Sequence, residues 1–251
     1  PLGLVWAQAP RKNGSVVVEA RRVPLAVAGG EERSFELTMT PLGPRGGRGS
    51  TVLVLRDVAE RERLEAALRE ANEELERLAN TDVLTGLANR RRFMAALETE
   101  IERARRYGRA FALVLLDLDR FKLVNDTHGH ATGDQVLRSI GPVLREASRD
   151  IDVPARLGGE ELAMLLPETT ADGARALAER LRHGIARQRH ESPTGTSFSV
   201  TASLGVAVFG PGQDDAEALL HAADEALYAA KDGGRNRVVM APGPDAEAAA
   251  S

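Results

Sequence analysis

The run Phe111–Lys122, "FALVLLDLDRFK", constrains the fold of this chain more than any other segment. Residues Phe111 to Leu116 are apolar without a break. A strand with one wet face would alternate, so an unbroken run predicts a central strand covered on both faces. It is the longest apolar run in the chain, far short of the roughly 20 residues that span a bilayer. Asp117 and Asp119 mark where the strand leaves the core, and charge at a strand's end is a common sign of a site. In extended chain the two carboxylates project to one face, where they could share a hard cation such as Mg²⁺, which takes oxygen ligands. From these residues alone, an ordinary acidic loop is an equally good reading.

A second signal is "RLGGEELAMLLP", Arg156–Pro167, in which Gly158, Gly159, Glu160 and Glu161 interrupt two apolar strands. It predicts a hairpin with an acidic tip, whose glycines admit positive φ and leave room for a phosphate chain; a plain Gly-Gly turn is the alternative. Glu160 and Glu161 point to opposite sides of extended chain, so one of them joins Asp117 at a metal, and Glu160 is the choice.

Around these strands, helices are expected near Arg90–Tyr107, Thr132–Ala147, Asp172–Gln188 and Glu217–Lys231. Strands are expected at Phe111–Leu118, near Ala155, and at Leu162–Leu166, Phe198–Val208 and Arg237–Val239. The order predicts an α/β fold, an α+β sandwich built around βαββαβ over residues 81–240.

The first part of the chain reads differently. Short β-prone runs at Ser15–Val18, Ser34–Met39 and Thr51–Leu55 alternate with turn clusters such as Gly43–Gly49, giving a β-rich segment over 1–57. The stretch Phe35–Arg61, with its "LRDVAERERL" exit, resembles the C-terminal half of a PAS sensor domain, and no ligand is assigned to it. Over 58–80, Leu64, Leu68, Ala71, Leu75 and Leu78 are spaced by four and three residues, the seam of a parallel coiled-coil stalk; a solvated linker helix is the alternative. Residues 241–251 are expected to be a disordered tail. The chain opens at Pro1 without a leader sequence, as a fragment of a longer protein would.

Composition narrows the function. A net charge of -4 argues against a nucleic-acid polymer as partner, since counterion release needs a basic surface. The absence of cysteine excludes disulfides, thiolate metal sites and thiol nucleophiles, and fits a cytoplasmic setting. No membrane contact is expected within this chain, with the cytosolic part of a longer, membrane-anchored protein as an alternative setting.

The segments "DVLTGLANRR", "DLDRFKLVNDTHGHATGDQVL", "RLGGEEL", "SLGVA" and "ALYAAKDGGRNRV" resemble, in that order, the motifs of the GGDEF diguanylate cyclase family. The resemblance runs from Thr81 to Val239. It implies a fold similar to the palm of nucleotide cyclases and polymerases, and an activity that joins two GTP into cyclic di-GMP with release of pyrophosphate; a catalytically inactive module that binds GTP or cyclic di-GMP as a regulator is the alternative.

Carried over by position, the resemblance makes Asp117, Glu160 and the Leu118 carbonyl ligands of two Mg²⁺ ions, with Mn²⁺ as a substitute. Glu160 or Glu161 would help deprotonate the 3′-hydroxyl. Asn125 and Asp134 would read guanine, with Leu84, His130 and Leu137 lining the base pocket and Gly158 and Gly159 over the phosphates. Lys122, Lys231 and Arg235 would bind phosphate. Arg149 and Asp152 of "RDID", with Arg180, match an inhibitory product site for cyclic di-GMP. Each domain would hold one GTP, so a homodimer through the stalk would bring two half-sites together. The family signature's usual Phe is Leu162 here, on an apolar strand where a packing role is expected.

Overall fold

The computed structural model describes residues 11–12, 15–16, 18–26, 32–42, 50–210 and 216–242. The chain divides into two compact units, residues 1–75 and 76–251. The turn cluster Gly43–Gly49, and the tail from residue 243 onward, lie outside the described residues.

In the first unit β1 (Arg11–Lys12) and β2 (Ser15–Val16) pair antiparallel. A three-stranded antiparallel sheet follows, β3 (Val18–Ala26), β4 (Glu32–Leu42) and β5 (Ser50–Asp57), with β4 central and Leu37 fully buried on it. The charged "EARR" of β3 hides that strand from a hydrophobicity reading. Asp57 caps helix α1 (Ala59–Asn80) by accepting from the Ala59 amide at 3.0 Å. Leu64, Leu68, Leu75 and Leu78 stand exposed along α1, within which the unit boundary falls.

The second unit is a mixed α/β layer structure, as the sequence predicts. Its six-stranded sheet contains β6 (Ala88–Asn89), β7 (Phe111–Leu118), β8 (Val153–Gly158), β9 (Glu161–Leu166), β12 (Ala202–Phe209) and β13 (Val238–Met240), in the order β13-β12-β7-β9-β8-β6. The outer pairs β12–β13 and β6–β8 are parallel and the inner ones antiparallel. A separate hairpin joins β10 (His190–Glu191) and β11 (Ser197–Phe198).

Period-two alternation along β7 sorts the core. Phe111, Leu113 and Leu115 face a cluster with helices α2 (Arg90–Tyr107) and α6 (Ala216–Asp232). Ala112, Val114, Leu116 and Leu118 face a second cluster with α4 (His130–Ala147) and α5 (Ala171–Ala186). Both faces are covered, which is why β7 has no polar residue before Asp117.

One helix was not expected: α3 (Phe121–His128) precedes α4, separated from it at Gly129, whose φ is 84°. "KLVNDTH" carries Asn, Asp, Thr and Val, weak helix formers with no apolar period, so tertiary packing through buried Phe121 decides its conformation. Gly205 serves packing directly: a Cβ there would stand 2.1 Å from the Ala223 carbonyl oxygen, so glycine lets α6 lie close on β12.

Candidate active site

The site begins where β7 ends. Asp117 continues the Phe111–Leu113–Leu115 alternation toward α6, and its Oδ2 lies 2.8 Å from Lys231 Nζ in the last turn of that helix. It pairs in register with Glu161 of β9, the strand leaving the hairpin tip. Burial pushes the Asp117 carboxyl above its ordinary value; the Lys231 hydrogen bond and charge pull it down, and Glu160 and Glu161 push it up again, with a net rise. Three carboxylates and one ammonium therefore act on one another at this strand end.

Leu118 is 1% exposed, so only its backbone could serve a ligand, and its amide donates to the Glu160 carbonyl at 3.4 Å. Asp119, the second carboxylate of the pair, is engaged inside the protein. Its Oδ1 accepts from Ser203 Oγ at 2.7 Å, and its Oδ2 from Thr201 Oγ1 at 2.6 Å and the Asn236 amide at 3.0 Å. Three of a carboxylate's roughly four acceptor positions are thus used inside the protein.

At the hairpin tip Gly159 has φ 50°, a left-handed conformation that favours glycine. No atom lies within 4 Å of where a Cβ would sit on Gly158 or Gly159, so the space over the turn is open. The register shifts between Arg156 and Gly158, and that irregularity aims the Arg156 side chain back at the turn. Its Nε and Nη2 donate to the Gly159 carbonyl at 2.9 and 2.8 Å, while Nη1 reaches Asp82 Oδ1 and Oδ2 at 3.2 and 3.1 Å. Burial raises the Asp82 carboxyl, but hydrogen bonds from the Thr85 hydroxyl and amide and from Arg156, with the Arg156 charge, outweigh it and hold it below its ordinary value. The sequence reading missed this pair, although "DVLTG" and "RLGG" both stood in it.

Beyond the strand, Lys122 is exposed on the first turn of α3, and Asn125 is half-buried one turn later. A Cβ on Gly133 would stand 2.0 Å from Asn125 Oδ1, so the carboxamide lies against the first turn of α4, beside Asp134. Asp134 is exposed, with Arg138 Nη2 4.0 Å away. His130 is exposed at the start of α4, Leu137 is buried in the α4–α5 cluster, and Leu84 packs on that cluster. Arg235 is exposed in the loop after α6, with a left-handed φ of 64°.

Among the described residues no three His, Cys, Asp or Glu side chains converge on one point. The donors present still suit a hard divalent cation. Mg²⁺ is held by one or two carboxylates plus substrate phosphates rather than by an all-protein cage, and buried Asp117 with the neighbouring Glu160 and Glu161 has negative charge for it.

Residues 79–237 match the family model for "Diguanylate cyclase, GGDEF domain". The chain belongs to the GGDEF diguanylate cyclase family. Among curated relatives, the diguanylate cyclase DgcP of Pseudomonas aeruginosa is 44% identical over 163 residues, covering 65% of this chain and 24% of that protein. The diguanylate cyclase DosC of Escherichia coli is 39% identical over 174 residues, covering 69% of this chain and 38% of that protein. The chain thus spans a quarter to two fifths of the length of these relatives. The crystal structure of the coiled coil and GGDEF domain of DgcB from Caulobacter crescentus, in complex with c-di-GMP, superposes with a TM-score of 0.69 at 36% identity, covering 73% of this chain and 97% of that one.

Within the GGDEF domain, Leu162 is fully buried in the α4–α5 cluster and pairs with Leu116, on the sheet face opposite Asp117 and Glu161. Away from the strand end, Arg149 and Asp152 are in contact, and Arg180 reaches the chain two residues before Arg149. The Arg149 amide donates to Asp152 Oδ2 at 2.8 Å, and Arg180 Nη2 donates to the Ala147 carbonyl at 3.0 Å. Asp152 Oδ1 is buried without a hydrogen-bond partner among the described residues.

Proposed function

We propose that this chain condenses two GTP into cyclic di-GMP. In each of two equivalent steps a 3′-hydroxyl attacks the α-phosphorus of the partner GTP, the new P–O bond replaces the bond to pyrophosphate, and the hydroxyl proton leaves to a base. The observation that carries the reading is the strand end itself, where buried Asp117 meets Glu160, Glu161 and Lys231 within the family motif. Two Mg²⁺ ions, or Mn²⁺, held by Asp117, Glu160 and the Leu118 carbonyl, would neutralise triphosphate charge and acidify the attacking hydroxyl.

The chain's own residues do the rest. Asn125, whose amide donates and accepts, and Asp134, which accepts from guanine N1 and N2 donors, select guanine over adenine. Leu84, Leu137 and His130 border the base. Lys122, Lys231 and Arg235 hold the phosphates, with the open turn at Gly158 and Gly159 leaving them room. Glu160 or Glu161 takes the proton. Leu162 packs on the far face of the sheet, so its replacement of the usual Phe is a core substitution that leaves the carboxylates in place.

One domain holds one GTP, so two must face each other. The exposed leucine stripe of α1 supports a parallel homodimer whose stalk carries a signal from a PAS-like segment over 1–57. Arg149, Asp152 and Arg180 form an inhibitory product site, consistent with the unpartnered Asp152 oxygen. Among the described residues no helix is long and apolar enough to cross a membrane. A reaction that consumes GTP fits a cytoplasmic setting.

The test is incubation of the purified chain with GTP and Mg²⁺, following cyclic di-GMP and pyrophosphate by chromatography beside Glu160→Gln. Product from the wild type alone is expected. Absence of product at dimer-forming concentration, with bound cyclic di-GMP removed beforehand, would reject the reading.

A further inference from the structure

Three motif pieces have no role in the site as drawn so far: Asp119 of "DLD", Ser203 of "SLGVA" and Asn236 of "GRN". The structure brings them together. Asp119 is 8% exposed, and its carboxylate takes hydrogen bonds from Thr201, Ser203 and the Asn236 amide, while its own amide donates to the Thr201 carbonyl at 2.8 Å. Ser203 is fully buried, so Asp119 also supplies the partner that a buried hydroxyl requires.

The grip on Asn236 has a particular geometry. Arg235 and Asn236 are consecutive non-glycine residues in the left-handed region, φ 64° and 46°. Side chains with a Cβ rarely hold that conformation unless surroundings impose it. Here it is imposed from both flanks. Asp119 takes the Asn236 amide, and Arg182 Nη1 on α5 donates to the Asn236 carbonyl at 3.3 Å and to its Oδ1 at 2.9 Å. Arg182 is itself held by Glu179 Oε2 at 2.8 Å. The Arg235 amide donates to the Ala230 carbonyl at 3.0 Å, tying the loop to the helix turn that presents Lys231 to Asp117.

This strained backbone buries nothing at Arg235, which is exposed beside a cleft of about 330 Å³ that Asp119, Thr201 and Asn236 also line. Core packing therefore gives no reason for the strain. We infer that Asp119 is a positioning residue: with Arg182 it clamps the left-handed Arg235–Asn236 turn, so that Arg235 is held at this cleft, just past the helix turn that carries Lys231, to receive a triphosphate. The inference rests on the reading of Arg235 as a phosphate-binding residue. It removes Asp119 from the metal-ligand set, since its oxygens are committed to Thr201, Ser203 and Asn236.

The probe is inorganic tripolyphosphate with Mg²⁺, titrated calorimetrically into the full chain, with guanosine titrated separately. Asp119→Asn keeps the shape but turns an acceptor into a donor facing other donors. It is expected to weaken tripolyphosphate about tenfold, leave guanosine within about twofold, and cost nothing further in an Arg235→Ala background. Arg182→Met loosens the turn from the other flank with Asp119 intact; it should reproduce the selective loss, and it carries the test if Asp119→Asn fails to fold. Additive losses of Asp119→Asn and Arg235→Ala, an equal loss for guanosine, or a wild type that does not bind tripolyphosphate would each overturn the inference. A shift in the Mg²⁺ midpoint in Asp119→Asn alone would return Asp119 to the metal and also overturn it. A wild type that binds tripolyphosphate yet makes no cyclic di-GMP sinks the cyclase reading while leaving the clamp standing.

Discussion

Arg156 grips Asp82 with a single guanidinium nitrogen, at 3.1 and 3.2 Å from its two oxygens. The other edge of the same guanidinium holds the Gly159 carbonyl at the acidic hairpin tip. Asp82 lies two residues beyond α1, whose last turn is tied down by Asn89 Nδ2 donating to the Ala79 carbonyl at 2.9 Å. A planar fork thus links the exit of the helix to the turn beside Glu160. Lysine is a point charge and cannot serve both edges, so Arg156→Lys is expected to cost about 1–3 kcal/mol of stability and about tenfold in turnover. The Asp82 carboxyl sits below its ordinary value of 3.8, so its stabilisation is present above that pH and disappears as pH falls through the folded value. Urea midpoints against pH check this: Asp82→Asn should flatten the acid limb, and an unchanged limb would show that the pair contributes nothing.

The carboxylates at the end of β7 make a second expectation. Removing divalent cations with EDTA should abolish product, and Mg²⁺ should restore it. Asp117→Ala and Glu160→Ala should each lower turnover by about a hundredfold or more while the protein stays folded. Lys231→Met leaves buried Asp117 beside Glu160 and Glu161 with its ammonium partner gone. Mg²⁺ without nucleotide should then raise the melting temperature of Lys231→Met more than that of wild type, measured by thermal shift. An equal rise in both would show that cation and ammonium do not answer the same charge.

How much of this was legible in the sequence depends on the range of the interactions involved. β7 was readable because burial on both faces leaves no polar residue before Asp117, and α2 because its apolar period and its Asn89 and Gly108 caps are local signals. Helix α3 was not, because "KLVNDTH" is held by the contact of Phe121 with the core rather than by propensity. The same distinction runs through the site. Strand alternation places one hairpin glutamate beside Asp117, and the register sets Glu161 rather than the expected Glu160 opposite it, with Glu160 at the turn. The true partners of Asp119 lie 82 to 117 residues away, and no spacing rule reaches that far. Period two put Asp117 and Asp119 on one face; the structure engages Asp119 there with Ser203, the register partner of Asp117, and with Thr201 and the Asn236 amide beyond the strand.

Gly133 sets the position of Asn125, the residue proposed to read guanine. With no Cβ it accepts the Asn125 carboxamide against the first turn of α4, whereas a methyl there would meet Oδ1 at 2.0 Å and force the side chain out. Gly133→Ala also removes an unfavourable helix glycine, so stability should change by no more than about 1 kcal/mol while base reading suffers. KM for GTP should rise about tenfold and discrimination against ATP should shrink by a similar factor, because a mispositioned amide loses the contacts that adenine lacks. Tripolyphosphate affinity should stay unchanged. Loss of both ligands together would show that Gly133 supports the whole domain rather than Asn125.

His190 makes the last prediction, and its sign is opposite to that of a histidine with an acidic partner. The ring is buried in the β10–β11 hairpin at 5.5 Å from Phe198, which stacks on His128 at 4.5 Å, and its Nε2 has no hydrogen-bond partner among the described residues. Burial favours the neutral ring and holds its pKa below the ordinary 6.5. The unfolded chain therefore binds a proton that the folded one refuses, and stability must fall as pH drops below 6.5 toward the folded value. His190→Phe keeps an aromatic ring against Phe198 and removes the titration. Its urea midpoint should lose the decline that wild type shows between about pH 7 and pH 5. If the two proteins keep the same slope in that window, the acid sensitivity belongs to other groups and His190 is only a packing residue.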